Sequence, residues 1–230
     1  MIDFKRRSYN KELLDRDDIL FDDIRKNMQE LNIINSRLGG HAITIKGFKE
    51  MATTSTVTIC EIGCGGGDNL AALYRWGMKH NIKVRCIGID INNNCIEWAK
   101  QSNPIPDSAF IVSDYKSVNF SEKPDIIFCS LFAHHFAEKE LRAMMLWMQA
   151  NSRLGFYINE LHRHPIAYYF IKITTKLFSK SYLVKNDAPL SVLRGFKTKE
   201  WRSILLDAGI KNFTIHWKWA FRHLVLVKHI

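Results

Sequence analysis

From Val57 onward the chain alternates short apolar runs with longer stretches of helical period. The runs cover 57–62, 84–89, 109–112, 125–130 and 154–159, and the stretches between the first three and between the last two have helix length. That alternation predicts βαβ units, because parallel strands need long crossovers that are usually helices, and hence a parallel sheet covered on both faces. Beyond the fifth run come an aromatic, basic stretch over 162–181, a polar loop over 185–195, a helix near 197–208 and two further strands at 210–217 and 221–227. Only Lys218, Trp219 and Ala220 separate the last two strands, so they pair as an antiparallel hairpin at the sheet edge. The expected fold is α/β: a doubly wound, Rossmann-like, seven-stranded sheet with an antiparallel C-terminal hairpin and N-terminal helices.

Ahead of the first strand, Leu20, Ile24, Met28, Leu31 and Ile34 step by three or four and predict an amphipathic helix over 18–38. Asp17 or Asp18 is suited to cap its start, and Gly39-Gly40 ends it. Ile43, Ile45, Phe48 and Met51 suggest a second helical segment, and Thr53–Thr56 make a small polar linker. The expected division is a helical cap over 1–56 and a main domain over 57–230 with a helical insertion at about 162–195. No apolar run approaches the roughly 20 residues of a membrane span, and the first residues lack a signal-peptide core, so a cytoplasmic location is expected. The five cysteines fit it: Cys60, Cys86 and Cys129 sit in apolar runs, Cys64 lies between glycines, Cys95 in a polar stretch, and no CxxC pair occurs. Free thiols are expected, and no metal.

Charge changes the picture only in the C-terminal part. The net charge is +10, and residues 131–230 alone hold 16 Lys+Arg against 6 Asp+Glu. Such a field attracts anionic partners, a carrier protein, nucleic acid, an acidic small molecule or an anionic membrane among them, or simply keeps the surface solvated.

The most informative segment is Glu61-Ile62-Gly63-Cys64-Gly65-Gly66-Gly67-Asp68, which ends the first strand and opens a helix. Asp90 closes the second strand, where an acid can accept hydrogen bonds from ribose hydroxyls. A dinucleotide loop wants a third small residue beside the pyrophosphate, yet that position is Asp68, and Glu61 adds a second negative charge. Carboxylates there repel phosphate and suit a phosphate-free cofactor with a cationic centre, such as S-adenosylmethionine (SAM). Glu61-x-Gly63-x-Gly65-x-Gly67 resembles motif I of the class I SAM-dependent methyltransferases. The resemblance extends over about half the chain: Asp90 matches the ribose-binding acid with Ile91 beside it, Asp114-Tyr115 the position near the adenine, and 125–136 the strand-four segment, with Ser130 at its end. It implies SAM binding at the strand C-termini through Glu61, Gly63, Gly65, Asp68, Asp90, Ile91, Asp114, Tyr115 and Ser130. It also implies methyl transfer to an acceptor above strands four and five, and the order of elements looks most like small-molecule O- or C-methyltransferases.

Methyl transfer is an in-line displacement, so positioning dominates and a base matters when the acceptor carries a proton. His134-His135 follows strand four where the acceptor meets the cofactor; His135 is the candidate catalytic base and His134 a candidate substrate contact. The competing reading has one histidine packed under the sheet and the other capping the next helix, since neighbouring residues in extended chain face opposite ways. His162, Arg163 and, in the later polar loop, Arg194 and Asp187 are further candidates for lining the acceptor cleft. An Asn/Asp-Pro-Pro-aromatic segment and a Pro-Cys nucleophile are both missing: strand four ends Cys129-Ser130-Leu131-Phe132. The acceptor expected is small, aromatic or polyketide-like. The alternatives are an RNA methyltransferase using the basic half and a non-catalytic SAM-binding protein.

Overall fold

In a computed structural model, residues 2–16 and 18–229 are described. Seven strands, β1 (Thr56–Ile62), β2 (Lys83–Asp90), β3 (Ala109–Val112), β4 (Ile126–Ser130), β5 (Gly155–Leu161), β6 (Phe213–Lys218) and β7 (Arg222–Lys228), form one sheet in the order β3-β2-β1-β4-β5-β7-β6. The first five pair in parallel, and β7 enters antiparallel between β5 and β6. The doubly wound α/β fold expected from the alternating pattern is the one observed.

Eight α-helices surround the sheet: α1 (Phe21–Arg37), α2 (Gly40–Met51), α3 (Asp68–Lys79), α4 (Asn93–Ser102), α5 (Glu138–Asn151), α6 (Pro165–Phe178), α7 (Tyr182–Arg194) and α8 (Thr198–Asp207). Side chains alternate across a strand, so each strand feeds two cores. Cys60, Ile62, Phe156 and Ile158 meet Met144 and Met148 of α5 and Trp201 of α8 on one face. Ile59, Phe128 and Tyr157 meet Phe48 of α2 and Leu70 and Leu73 of α3 on the other.

Several expectations need correction. Leu20, not Asp18, precedes α1 as its cap residue, and Asp18 instead pairs with Arg16 at 2.5 Å; Asp17 lies outside the described residues. The polar stretch 185–195 is not a loop but most of α7, although Pro189 removes one backbone donor from it. Leu183, Val184 and Val192 are buried there, and Asp187 accepts hydrogen bonds from the amides of Leu13 and Leu14 at 2.8 and 3.0 Å. Tertiary contacts made by the N-terminal residues outweigh local propensity.

Those N-terminal residues form a strap across α7 and the ends of β4 and β5, fastened by buried charge. Arg7 donates to the carbonyls of Arg194, Phe136 and His134 and lies 4.0 Å over the Phe196 ring. Arg163, fully buried, donates to the carbonyls of Phe4, Lys5 and Gly195 and pairs with Glu200 at 2.6 Å. Arg194 donates to the carbonyls of His134 and Asn10. At the centre, in a 3-10 turn over Ala133–His135, the His134 ring stands between two buried carboxylates: Nδ1 is 2.9 Å from Glu160 and Nε2 is 3.3 Å from Glu12.

Burial alone would drive the His134 imidazole toward neutrality, but the charges and hydrogen bonds of Glu160 and Glu12 override it and raise its pKa to about 9. Burial likewise opposes ionisation of Glu160 and Glu12, and the His134 cation holds both below the ordinary carboxylate value. Because the folded-state pKa of His134 exceeds its ordinary 6.5, its contribution is complete below that pH and is lost as pH rises through about 9. The melting temperature of the wild type is therefore expected to fall between these pH values, and His134→Gln to flatten that limb. His134→Ala, which strands two buried carboxylates, is expected to cost about 3–5 kcal/mol in chemical denaturation. A wild-type melting temperature level across the alkaline limb contradicts the buried cation.

Candidate active site

The turn from β1 into α3 builds the first half of the site. Gly63 has φ +65°, and a Cβ there would stand 2.2 Å from the Phe132 ring, so only glycine lets the loop pass this close to the end of β4. The loop opens on a cavity of about 620 Å³ at the carboxyl ends of β1, β2 and β4, lined by Glu61, Gly63, Gly65, Asp68, Asp90, Ile91, Ser130 and His135, with Met28 and Asn35 of α1 above. Ligands of open α/β sheets bind at this edge.

The cavity is acidic. Asp90 accepts hydrogen bonds from the amides of Gly65 and Asn92 at 2.8 and 2.9 Å, which fixes its carboxylate against the loop. Burial raises its pKa, with those two amides opposing. Glu61 is buried more deeply: Oε1 accepts from Asn69 at 3.0 Å, while Oε2 has no partner. Its pKa is pushed well above the ordinary value by burial and by the charge of Asp68. An orphaned carboxylate oxygen in this position calls for a cation or a donor from the bound molecule. Asp68 is held by His41 Nε2 at 2.7 Å and Asn35 at 3.3 Å, so helices α1 and α2 complete the wall.

A second cavity, about 160 Å³, adjoins the first and is predominantly apolar, walled by Leu31, Ile34, Leu38, Leu161, Phe170, Ile171, Val184 and Val192. Leu131, Asn35 and His135 border both cavities. Leu131 holds φ +53°, uncommon for a branched side chain, and its amide donates to the Asn159 carbonyl at 2.9 Å. The His135 ring has Nδ1 3.1 Å from Asp15 Oδ1 and Nε2 3.8 Å from Glu12 Oε2. Burial works against the Asp15 charge, but the hydrogen bond and charge of His135 bring its pKa down to about 2. Asp15 thereby orients the His135 ring from the Nδ1 side.

The structure brings Glu61, Gly63, Gly65, Asp68, Asp90, Ile91, Ser130 and His135 together on the larger cavity, and His134, His135 and Asp187 onto the apolar one. The two histidines face the same carboxylate, with ring centroids 4.4 Å apart, because the chain turns in a 3-10 coil there; the expectation that neighbours diverge applies to extended chain. Asp114 caps the next turn through the Lys116 amide and is exposed, while Tyr115 packs edge-on against Phe132, Phe136 and Trp147; neither lines a cavity. Arg163 and Arg194 are spent on the strap, and His162 accepts from Trp217 Nε1 at 3.2 Å outside both cavities. These three placements do not bring their side chains to the acceptor cleft.

Glu12, Asp15, Asn35 and Arg222 line the cavities and His41 holds Asp68 in their wall, placements that sequence reasoning missed. Glu12 and Asp15 carry only a faint signal, two acids three apart in a segment of mixed charge, which reads as local capping. Arg222 of β7 is buried against Asn35 at 2.9 Å, has Nη1 unpartnered and is drawn down to about 10 by burial. Glu12, His134 and His135 offer ligand atoms within 4.8 Å of one another, the one such set among the described residues. The Arg194 guanidinium, 3.9 Å from Glu12 and 3.5 Å from Asp15, already supplies positive charge to those carboxylates.

Residues 59–151 match the family model of the methyltransferase domain. No curated protein matches the sequence. Among solved structures, plantazolicin methyltransferase BpumL in complex with SAH is 14% identical, covers 89% of this chain and 90% of its own, and has a TM-score of 0.65. Human N-acetylserotonin methyltransferase in complex with SAM is 16% identical with a TM-score of 0.63, and this chain covers 56% of its length. A Nostoc punctiforme protein assigned as an O-methyltransferase is 12% identical over 87% of this chain and 59% of its own, with a TM-score of 0.61. The chain spans less than two thirds of the length of the last two, and likeness at such identities concerns the fold. The family match covers the glycine loop, Asp90 and the strand-four turn that carries His135, and by it this chain contains a class I SAM-dependent methyltransferase domain.

Proposed function

We propose that the chain methylates a small acceptor with an apolar, aromatic or polyketide-like body and an acidic hydroxyl, with residues 1–56 serving as the helical cap over the cofactor. The observation that carries this reading is the position of His135 on the border between the acidic cavity and the apolar one. SAM supplies a methyl group on a sulfonium. On this reading Gly63 and Gly65 admit it, Asp90 accepts from its ribose, and Glu61 Oε2 faces its positive charge. The apolar cavity compares with the dry voids of about 150 Å³ that take a benzene ring, so it suits an aryl group or a short chain.

His135 Nε2 takes the hydroxyl proton as the acceptor oxygen bonds to the methyl carbon and the carbon–sulfur bond breaks. Asp15 holds the imidazole and stabilises the imidazolium, and Arg222 Nη1 provides a counter-charge for the developing oxyanion. Leu131 and Phe170 keep water from the oxygen. The neighbours named as plantazolicin and N-acetylserotonin methyltransferases support a small-molecule acceptor.

Three outcomes are expected. In calorimetry, Asp90→Ala weakens SAM binding by about 1.5–3 kcal/mol, the range for a hydrogen bond involving a charged group; unchanged affinity removes Asp90 from the ribose. SAM affinity rises with pH until Glu61 ionises, because its raised pKa leaves it neutral at lower pH, and binding releases a proton that Glu61→Gln abolishes. Binding with no buffer-dependent enthalpy in either protein refutes that role. Finally, His135→Gln lowers turnover by on the order of a hundredfold or more, with SAM affinity and melting temperature near wild type. A lower melting temperature with turnover intact makes His135 structural.

A further inference from the structure

Helix α6 is apolar on two opposite faces. Tyr168, Ile171 and Thr175 are buried against the protein, at the spacing of one helical stripe. On the far side Ile166, Tyr169, Phe170, Ile173 and Leu177 stand between 50% and 68% exposed. These five recur at three- and four-residue intervals and make one continuous stripe, which a solvated helix face does not carry. Lys172 and Lys176 run along its flank, with Lys180 beyond the helix end, and α6 itself contains no acidic residue. Lys172 Nζ lies 5.5 Å over the Tyr168 ring.

We propose that α6 is an interfacial helix that docks the protein flat on an anionic lipid bilayer. Three observations favour a bilayer over other occupants. The lysine row faces no acid of its own helix, and the surrounding hundred residues carry 16 Lys+Arg against 6 Asp+Glu, a field complementary to anionic headgroups. A second copy packed face to face would set one lysine row beside the other, a like-charge contact in a closed two-fold interface. Phe170 belongs to both surfaces: it lines the apolar cavity and is half-exposed on the stripe. The wall of that cavity is thus the docked helix itself, which gives an acceptor dissolved in the bilayer a short apolar route toward His135. Spanning is not involved, as no helix among the described residues is long and apolar enough to cross a membrane. Docking stands independently of the acceptor's identity.

The test is co-sedimentation of the full chain with vesicles of phosphatidylcholine alone and of phosphatidylcholine with a third phosphatidylglycerol, across a salt series. The wild type is expected to bind the anionic vesicles, more weakly at high salt, and the neutral ones least. Ile173→Glu with Leu177→Glu is expected to lower the partition by on the order of tenfold or more, and Lys176→Ala with Lys180→Ala to remove most of the salt dependence. Ile173 and Leu177 line neither cavity, so melting temperature and SAM affinity report that these variants fold as the wild type does. Wild type that stays in the supernatant with both vesicles overturns the proposal, as does equal binding by the folded Ile173→Glu, Leu177→Glu variant. A dimer in light scattering that this variant dissolves, without vesicle binding, assigns the stripe to a second copy instead.

Discussion

The buried contact of His134 with Glu12 and Glu160 is the constraint from which the site's geometry follows. Glu160 lies on β5, His134 in the turn after β4, and Glu12 in the N-terminal strap, so three segments distant in sequence are fixed at one point. A charge in such a place is expensive unless both carboxylates are present, so the strap cannot leave without stranding it. Holding His134 inward also fixes the short turn that carries His135 outward to the border of the two cavities. Arg7 and Arg194 reinforce the turn by donating to the His134 carbonyl, and both are themselves buried.

Legibility of the sequence divides along the same line. Strands β1 to β5 and the glycine loop are written in contiguous residues: apolar runs mark the strands, and Gly63 and Gly65, both at positive φ, mark the turn. The hairpin was equally plain, with three residues between two apolar runs, although only the sheet shows β7 inserting beside β5. What could not be read is contact between distant segments. Arg163 read as a substrate contact because it follows strand five on the rim, and Arg194 because it lay in an expected polar loop; their carbonyl partners on the strap have no side-chain signature. The stretch now seen as α7 looked like a loop for the same reason: its acid, Asp187, satisfies amides of Leu13 and Leu14. Glu12 and Asp15 were hidden because their partners lie more than a hundred residues away.

The two cavities divide the chemistry electrostatically. Around the glycine loop, Glu61, Asp68 and Asp90 crowd negative charge into a partly dry space, which disfavours phosphate and rewards a cation. Burial that raises Glu61 makes its ionisation conditional on what lies beside it, so the cofactor's charge and the carboxylate's charge stabilise one another. The neighbouring cavity offers few polar groups besides the Glu12, His134 and His135 cluster, Asp187 and the free Nη1 of Arg222, so orientation there is set by shape and by one end of the acceptor.

On the proposed function, in which His135 is the base, the strap has a role in reaction as well as in folding. His135 borders a polar cavity, and water at Nε2 would compete with the acceptor for its lone pair. Asp15 fixes the ring from the strap side, Leu14 beside it borders both cavities, and Leu131 at positive φ closes the other side. The base is therefore assembled only when the strap lies in place, and the strap lies in place only while Glu12 and Glu160 share the His134 charge. Local opening of the N-terminal residues would expose His135 and the apolar cavity together, so the least costly path for an apolar acceptor runs past the strap or past α6. The wall at α6 bears Phe170, which borders the cavity from outside and needs no ionic contact to be broken before it moves. An acceptor arriving there would leave the buried charges, and hence the base, intact.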